Sequence, residues 1–261
     1  MTKILISNDD GISSPGVYAA KKALESLGDV TLVCPESEHS GSGRSFSVFE
    51  PLEIKEHKLE DGSIGYGITG TPADSVTTAL KEILDEKPDL VISGINKGLN
   101  ICKGELTSSG TIGAALEGSN NGIPSIAVSV AIDRESIELT EDGPKFNKMP
   151  DFTFAGEILL ELAKKVLDKG LPEGVDLLNL NIPSEPKNKD IKITKLGKNR
   201  FSVSLKTVTN KNGDTDYYLS PKLLNTFEEG TDGYCVVTEK RPSLTPITLD
   251  MTGDLEKLKD W

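Results

Sequence analysis

The sequence predicts an α/β fold, with helices on both faces of a mostly parallel sheet, followed by a β-rich C-terminal extension. As far as residue 183, short apolar runs typical of buried strands alternate with segments of helical spacing. This alternation is typical of a parallel sheet. After residue 183 apolar and polar residues alternate instead. The 261 residues suffice to bury one α/β core of this kind. The first part is therefore predicted to be a Rossmann-like, three-layer α/β/α domain.

The elements of this domain follow from local patterns. The first strand covers residues 4–7 and stops at the Asn-Asp-Asp-Gly sequence of residues 8–11. The next helix has Pro15 near its start and Gly28 at its end, where proline and glycine are favoured. The remaining predicted elements are a strand at 30–34, a helix at 71–84, a strand at 89–93, a helix beginning at 111–118, a strand at 124–131, a helix at 152–167 and a strand at 177–182.

The C-terminal extension, residues 184–261, is predicted to contain a long β-hairpin and a tail. Residues 190–220 alternate in polarity, and Asn212-Gly213 is a favoured hairpin turn. A further strand and loop are expected over residues 233–250, and a short polar helix or tail over 255–261. Because this segment offers little apolar surface for a core of its own, we expect it to pack on a partner subunit. The predicted division is a catalytic domain at 1–183 and an oligomerisation extension at 184–261.

Composition excludes several classes of function. The net charge of −12 argues against binding a nucleic-acid polymer, which needs a basic surface. The three cysteines are far apart and form neither a disulfide framework nor a zinc motif. We find no signal peptide and no apolar stretch of the roughly 18 residues that a membrane helix needs. The expected location is the cytoplasm, away from membranes.

Carboxylate and amide side chains follow two predicted strands. Asp9 and Asp10 come directly after the first, and Asn96 follows the strand at 89–93. In a parallel sheet the ligand crevice lies outside the carboxyl ends of the strands. Two adjacent carboxylates there raise each other's pKa unless a cation such as Mg²⁺ or Mn²⁺ holds them. The alternative is that Asp9 caps the next helix and that Asp10 and Asn96 lie in tight turns.

Two hydroxyl-rich loops are candidates for binding an anion. Residues 40–45 carry Ser40 and Arg44 among glycines, without the lysine and spacing of a P-loop. Ser109, Gly110 and Thr111 precede a helix, whose free amides and dipole attract phosphate. The alternatives are a plain flexible loop for the first and an ordinary helix cap for the second.

Taken together, the motifs resemble the stationary-phase survival protein SurE family. The matching segments run in order from residue 4 to residue 183, and a looser match follows at 244–247. They are Asn-Asp-Asp-Gly at 8–11, Ser-Gly-Ser-Gly at 40–43, Gly-Thr-Pro-Ala-Asp at 70–74, Ser-Gly-Ile-Asn at 93–96 with Gly98 and Asn100, the segment 109–118, Gly-Ile-Pro at 122–124 continuing to Ser129, and Asn-Leu-Asn-Ile-Pro at 179–183.

The resemblance implies a phosphatase that hydrolyses nucleoside 5′-monophosphates, and in some members 3′-monophosphates. It implies one Mg²⁺ or Mn²⁺ ion per subunit, held by Asp9, Asp10, Ser40 and Asn96, and a homodimer or homotetramer with exchanged C-terminal segments. In the mechanism we expect, Ser109, Gly110, Thr111, Asn96 and Arg44 bind the phosphate, and Asp9 or Asp10 assists proton transfer.

One departure from the family concerns the nucleobase. Many members have an aromatic residue just before the Ser-Gly-Thr motif, where this chain has Ser108. Base preference is therefore left open. Two other functions also remain open: a broader phosphatase acting on polyphosphate or sugar phosphates, and a metal-dependent nucleotide sensor without turnover.

Overall fold

A nine-stranded sheet with helices on both faces forms the body of the protein. The computed structural model describes residues 1–132, 137–140, 143–146, 148–199, 201–209, 212–224 and 226–259. The strands are β1 (Lys3–Ser7), β2 (Asp29–Pro35), β3 (Ile54–Lys58), β4 (Ile64–Ile68), β5 (Leu90–Lys97), β6 (Ser125–Val130), β7 (Ile137–Thr140), β8 (Gly143–Phe146), β9 (Leu177–Ile182), β10 (Lys192–Ile193), β11 (Phe201–Thr209), β12 (Thr215–Leu223) and β13 (Ser243–Ile247). The α-helices are α1 (Pro15–Leu24), α2 (Pro72–Thr78), α3 (Cys102–Ser108), α4 (Gly110–Asn120) and α5 (Phe152–Lys169).

The sheet has the strand order β10-β13-β9-β6-β5-β1-β2-β4-β3. The six strands from β9 to β4 run parallel, and β3 and β13 pair antiparallel to their neighbours β4 and β9. The prediction of a mostly parallel sheet in a Rossmann-like α/β fold is therefore confirmed. Short π-helical segments at Ala79–Ile83 and Tyr234–Glu239, and a 3-10 turn at Leu255–Leu258, complete the described elements.

Alternation along β1 decides which helices each side chain meets. Ile4 and Ile6 join the apolar cluster that contains residues of α1 and α5, whereas Leu5 joins the cluster with residues of α2 and α4. Successive strand residues point to opposite faces. Beyond the strand, Asp9 contacts Thr111 of α4, and Asp10 lines a cavity with the first residues of α1.

The helices start where side chains satisfy free backbone amides. Ser14 Oγ accepts from the Val17 amide at 3.4 Å, one residue before Pro15 begins α1. At α2, Thr71 and Asp74 form a capping box, in which each side chain accepts from the other residue's backbone amide. Both starts agree with the predicted helices, and α4 begins at Gly110, one residue before the predicted position.

The strand predicted at 89–93 continues further than its glycine suggested. β5 runs to Lys97, with a register shift against β6 between Ser93 and Asn96. A bulge of this kind changes the direction of the side chains that follow it. Asn96 therefore lies within the strand, beside Ser129 of β6.

The C-terminal segment contributes to two sheets. β11 and β12 form the predicted hairpin, closing from Thr209 opposite Thr215. β13 adds to the main sheet against β9, and β10 pairs with β13, although both lie beyond residue 183. The division of the chain at residue 183 stays a prediction. β3, β4, α3 and the two-stranded β7–β8 sheet were not predicted from the sequence. In the described part of the chain, every helix is too short or too polar to cross a lipid bilayer.

Candidate active site

Three of the predicted polar residues, Asp9, Asp10 and Asn96, lie at the carboxyl ends of β1 and β5, beside the N-terminus of α4. β1 and β5 are neighbours in register, with Ser7 opposite Ser93. Asp9 and Asp10 follow β1 directly, and Asn96 and Lys97 end β5. The N-terminus of α4 lies on the side toward which Asp9 points, as the contact between Thr111 and Asp9 shows.

Asp9 is buried against the first turn of α4. Asp9 is only 5% exposed, and its Oδ1 accepts a hydrogen bond of 2.6 Å from the Thr111 hydroxyl. Burial raises the pKa of the Asp9 carboxyl to about 6, although the Thr111 hydrogen bond opposes that increase. The charged form is thus costly here without a nearby cation.

Asp10 points to the other side of the strand end and contacts Lys97. Its Oδ2 accepts from the Lys97 amide at 3.0 Å, and the Lys97 ammonium lies 3.8 Å from its Oδ1. Burial raises the pKa of Asp10, and the Lys97 amide and ammonium partly offset this. Asp10 also lines a cavity of about 210 Å³ with Ser13, Lys97 and Phe152. Two desolvated carboxylates therefore flank one strand end.

Of the four residues that the resemblance assigns to a metal, Ser40 is turned away from the two aspartates, whereas Asn96 lies at the neighbouring strand end. Asn96 Nδ2 donates to the Gly98 carbonyl at 2.8 Å, which leaves Oδ1 as its cation-binding atom. Ser40 is exposed, and its hydroxyl donates to Glu38 Oε1 at 2.7 Å rather than to the aspartates. No group of three or more His, Cys, Asp and Glu side chains suited to a metal occurs among the described residues. A cation here therefore depends on amide and hydroxyl oxygens beside the two aspartates.

Four buried oxygens around these strand ends lack partners. Ser7 Oγ, Asn8 Oδ1, Ser42 Oγ and Ser93 Oγ are shielded from solvent and have no hydrogen-bond partner among the described residues. Buried polar atoms are normally paired, so an unpaired one indicates a missing ion or water. These oxygens and the two carboxylates have the hard-donor chemistry that Mg²⁺ and Mn²⁺ prefer. The residues present fit a divalent cation.

The segment 109–111 serves both α4 and Asp9. Ser109 Oγ accepts from the Ile112 amide at 3.1 Å, so this hydroxyl caps the helix. The Thr111 hydroxyl is engaged by Asp9. A Cβ at Gly110 would lie 2.8 Å from both Asp9 Cβ and Ser42 Oγ. The Thr111 amide also contacts Asp9, so an anion would be attracted here by the positive end of the α4 dipole.

Arg44 contacts α4 rather than the strand ends. Its Nε and Nη2 donate to Glu117 Oε2 at 2.9 Å and 2.7 Å. Glu117 Oε1 accepts from Thr77 and Asn121, at 3.1 Å and 2.9 Å. This pairing fastens the loop of residues 40–45 to α4, and the phosphate-binding role of Arg44 stays a prediction.

Several residues of this site were given no role in the site on sequence grounds, although all but Lys97 fall within the motifs of the family resemblance. They are Ser42, Lys97 and Glu117, together with the asparagines at positions 100, 179 and 181. A signal existed for two of them, because Asn179 and Asn181 share one face of the otherwise apolar β9. Polar residues at period two in a buried strand indicate an internal hydrogen-bond network.

Comparison with known proteins gives a consistent result. The family model described as "Survival protein SurE" matches residues 4–203. A protein of Methanobrevibacter smithii named 5′-nucleotidase SurE is 45% identical over 259 residues, covering 99% of each chain. The protein of the same name from Methanothermobacter thermautotrophicus is 46% identical over 217 residues, 83% of this chain and 81% of its own. The crystal structure of the SurE protein from Aquifex aeolicus is similar with a TM-score of 0.78 and 35% identity, covering 99% of this chain and 97% of that one.

Proposed function

The chain belongs to the survival protein SurE family, and we propose that it is a cation-dependent phosphatase that hydrolyses nucleoside 5′-monophosphates, with 3′-monophosphates as further substrates. The 5′-nucleotidase activity follows from the shared name of its relatives. The observation that carries the cation dependence is the convergence of Asp9, Asp10 and the first turn of α4 at one strand end.

Asp9, Asp10 and Asn96 would hold one Mg²⁺ or Mn²⁺ ion per subunit. Ser40 would join them after its hydroxyl turns away from Glu38. The support for this assignment is the raised pKa of both aspartates, because a cation offsets the burial of their negative charges. When bound, such an ion polarises a phosphoryl oxygen and neutralises charge that develops during hydrolysis.

The chain's own groups would bind and orient the phosphate. α4 begins at Gly110 beside Asp9, where the positive end of the helix dipole favours a bound anion, and the Thr111 amide of this turn also contacts Asp9. A positive helix end fixed in this way stabilises the equatorial oxygens in the transition state without reorganising. Asp9 or Asp10 accepts the proton of the attacking water, and the Thr111 hydroxyl holds Asp9 in place.

Phosphate release from a panel of substrates tests the proposal. The panel contains nucleoside 5′- and 3′-monophosphates, a sugar phosphate and polyphosphate, each with excess chelator and then with added manganese. We expect release from nucleoside monophosphates only in the presence of the cation. Equal rates on sugar phosphate or polyphosphate would favour the broader phosphatase, and cation-dependent nucleotide binding without release would favour the sensor. Undiminished hydrolysis in chelator would refute the cation's role.

The proposal includes a cytoplasmic homodimer or homotetramer. Within the β11–β12 hairpin, Leu205 lies opposite Leu219, and Val203 and Tyr217 lie on the same face. These four side chains are between 63% and 74% exposed. An isolated two-stranded hairpin is marginally stable in water and needs a covering surface. This exposed apolar face supports a second copy of the chain as the partner that covers the hairpin.

A further inference from the structure

A chain of buried hydrogen bonds leads from β9 to Asp9. The Asn100 amide nitrogen Nδ2 donates to the Thr111 hydroxyl at 3.2 Å and to the Ser129 hydroxyl at 2.9 Å. The Thr111 hydroxyl donates in turn to Asp9 Oδ1 at 2.6 Å. Asn100 is 8% exposed, and Thr111 and Ser129 are fully buried. Water therefore does not compete for these bonds.

Two asparagines of β9 fix the backbone of Asn100. Asn181 Oδ1 accepts from the Asn100 amide at 2.8 Å, and Asn181 Nδ2 donates to the Asn100 carbonyl at 3.1 Å. Asn179 Nδ2 donates to the same carbonyl at 2.8 Å, and its Oδ1 accepts from Asn181. Because a backbone amide only donates, the orientation of each side-chain amide in this group follows from the preceding one.

With its backbone held by these bonds, Asn100 presents its side-chain nitrogen Nδ2 to the Thr111 hydroxyl. A threonine hydroxyl has one proton and two acceptor lone pairs. Since Asn100 Nδ2 occupies a lone pair, the proton is left for Asp9 Oδ1. The reverse amide orientation would take that proton and place an unpaired hydroxyl oxygen against the carboxylate. The bond to Oδ1 also turns the other oxygen, Oδ2, toward Gly110 at the start of α4. Oδ2 lies 3.1 Å from the point that a Cβ would occupy if residue 110 had a side chain.

We propose that Asn100 is a positioning residue, which acts through the Thr111 hydroxyl to orient the Asp9 carboxylate toward the cation and phosphate. The inference rests on the proposed function, and it concerns Asn100, whose side chain contacts the Thr111 and Ser129 hydroxyls. Groups that orient a metal ligand typically change metal affinity or activity about 10–100-fold when removed.

A double-mutant cycle tests whether Asn100 acts through Thr111. The variants are Asn100→Leu, Thr111→Val and their combination, and the measurements are the manganese dissociation constant by calorimetry and kcat for a nucleoside monophosphate. Each single variant is expected to weaken manganese binding and lower kcat by about tenfold or more. In the Thr111→Val background, Asn100→Leu should have almost no further effect, because the hydroxyl it orients is gone.

Two controls separate positioning from general damage to the core. Thr111→Ser keeps the hydroxyl and should restore most of the affinity and kcat. Thr231→Val removes a comparably buried threonine hydroxyl, which donates to the Glu228 carbonyl at 2.6 Å outside this network. This variant should lose stability while keeping both constants. If Asn100→Leu does not fold, Asn100→Asp keeps the side-chain size and replaces the donor by an acceptor, with the same expected loss.

The outcomes distinguish the two proposals. Equal effects of Asn100→Leu in both backgrounds, or no effect in the wild-type background, would overturn the positioning role. Manganese binding by a wild-type chain that releases no phosphate would refute the proposed catalysis, and the affinity cycle would still decide the role of Asn100. A wild-type chain that binds no manganese would refute both.

Discussion

Replacing Asp9 by asparagine should make the cation-free protein more resistant to unfolding as the pH rises. Burial raises the pKa of Asp9 from 3.8 to about 6 in the folded state. The folded chain therefore binds this proton more tightly than the unfolded chain does. Between about pH 4 and pH 6, the contribution of Asp9 to the free energy of unfolding falls as the pH rises, and above that range it is constant.

The size of the effect follows from the shift. Each unit of pKa difference corresponds to about 1.4 kcal/mol, so ionised Asp9 lowers the free energy of unfolding by about 3 kcal/mol at neutral pH. Asp9→Asn removes this dependence. Any fixed effect of the asparagine is the same at every pH, so the difference between variant and wild type should increase by roughly 2 to 2.5 kcal/mol from pH 4 to pH 7.

Urea unfolding of both proteins across this pH range, in excess chelator, measures the difference. Asp168→Asn, which removes an exposed carboxyl of α5, provides the control for the loss of one carboxylate. Saturating manganese should then stabilise the wild type by about 2.7 kcal/mol at one hundred times its dissociation constant, and the variant much less. A pH-independent difference between Asp9→Asn and wild type would refute the burial argument.

The remaining predictions concern the cation, Arg44 and the hairpin. Phosphate release, measured as inorganic phosphate, should stop in excess chelator and return when manganese or magnesium is added. If neither ion restored the release, the site of hard oxygen ligands would be contradicted. Arg44→Met should lower the free energy of unfolding by about 1–3 kcal/mol, because Glu117 loses its charged partner while buried; unchanged urea unfolding would contradict this. Replacing Leu205 and Leu219 together by serine should produce monomers in light scattering, and an unchanged oligomer would exclude this face as the interface.

Local sequence patterns predicted the strands and helices that position the site. They did not predict contacts between residues that are far apart in the sequence. The strand before Asp9 and the helix after Ser109 follow from short-range signals, namely an apolar run that stops and hydroxyls that cap a helix. Arg44 and Glu117 are far apart in the sequence, and their pairing depends on how the loop after β2 packs on α4. The addition of β13 to β9 is equally non-local. Alternating polarity in the segment after residue 183 predicted a strand there without indicating which sheet it joins.

Gly110 illustrates how the structure changes the physical reason for a residue that the sequence had singled out. From the motif alone, glycine allows the backbone to approach an anion, so a side chain there should weaken phosphate binding and leave the cation unaffected. In the structure, a Cβ at this position would lie 2.8 Å from Asp9 Cβ and from Ser42 Oγ. Gly110→Ala should therefore displace Asp9 itself.

The alanine variant is consequently expected to weaken manganese binding and phosphate binding together. Helix propensity alone favours alanine over glycine by about 1 kcal/mol, so loss of the folded state is not the expected cause. Calorimetry with manganese and inhibition by inorganic phosphate, measured on the same preparation, give the two affinities. Adding Ser42→Gly removes one of the two contacts and should recover part of the manganese affinity, since Asp9 can then shift. If Gly110→Ala binds manganese normally and loses only phosphate binding, the glycine is needed for the approach of the anion. The predicted displacement of Asp9 would then be wrong.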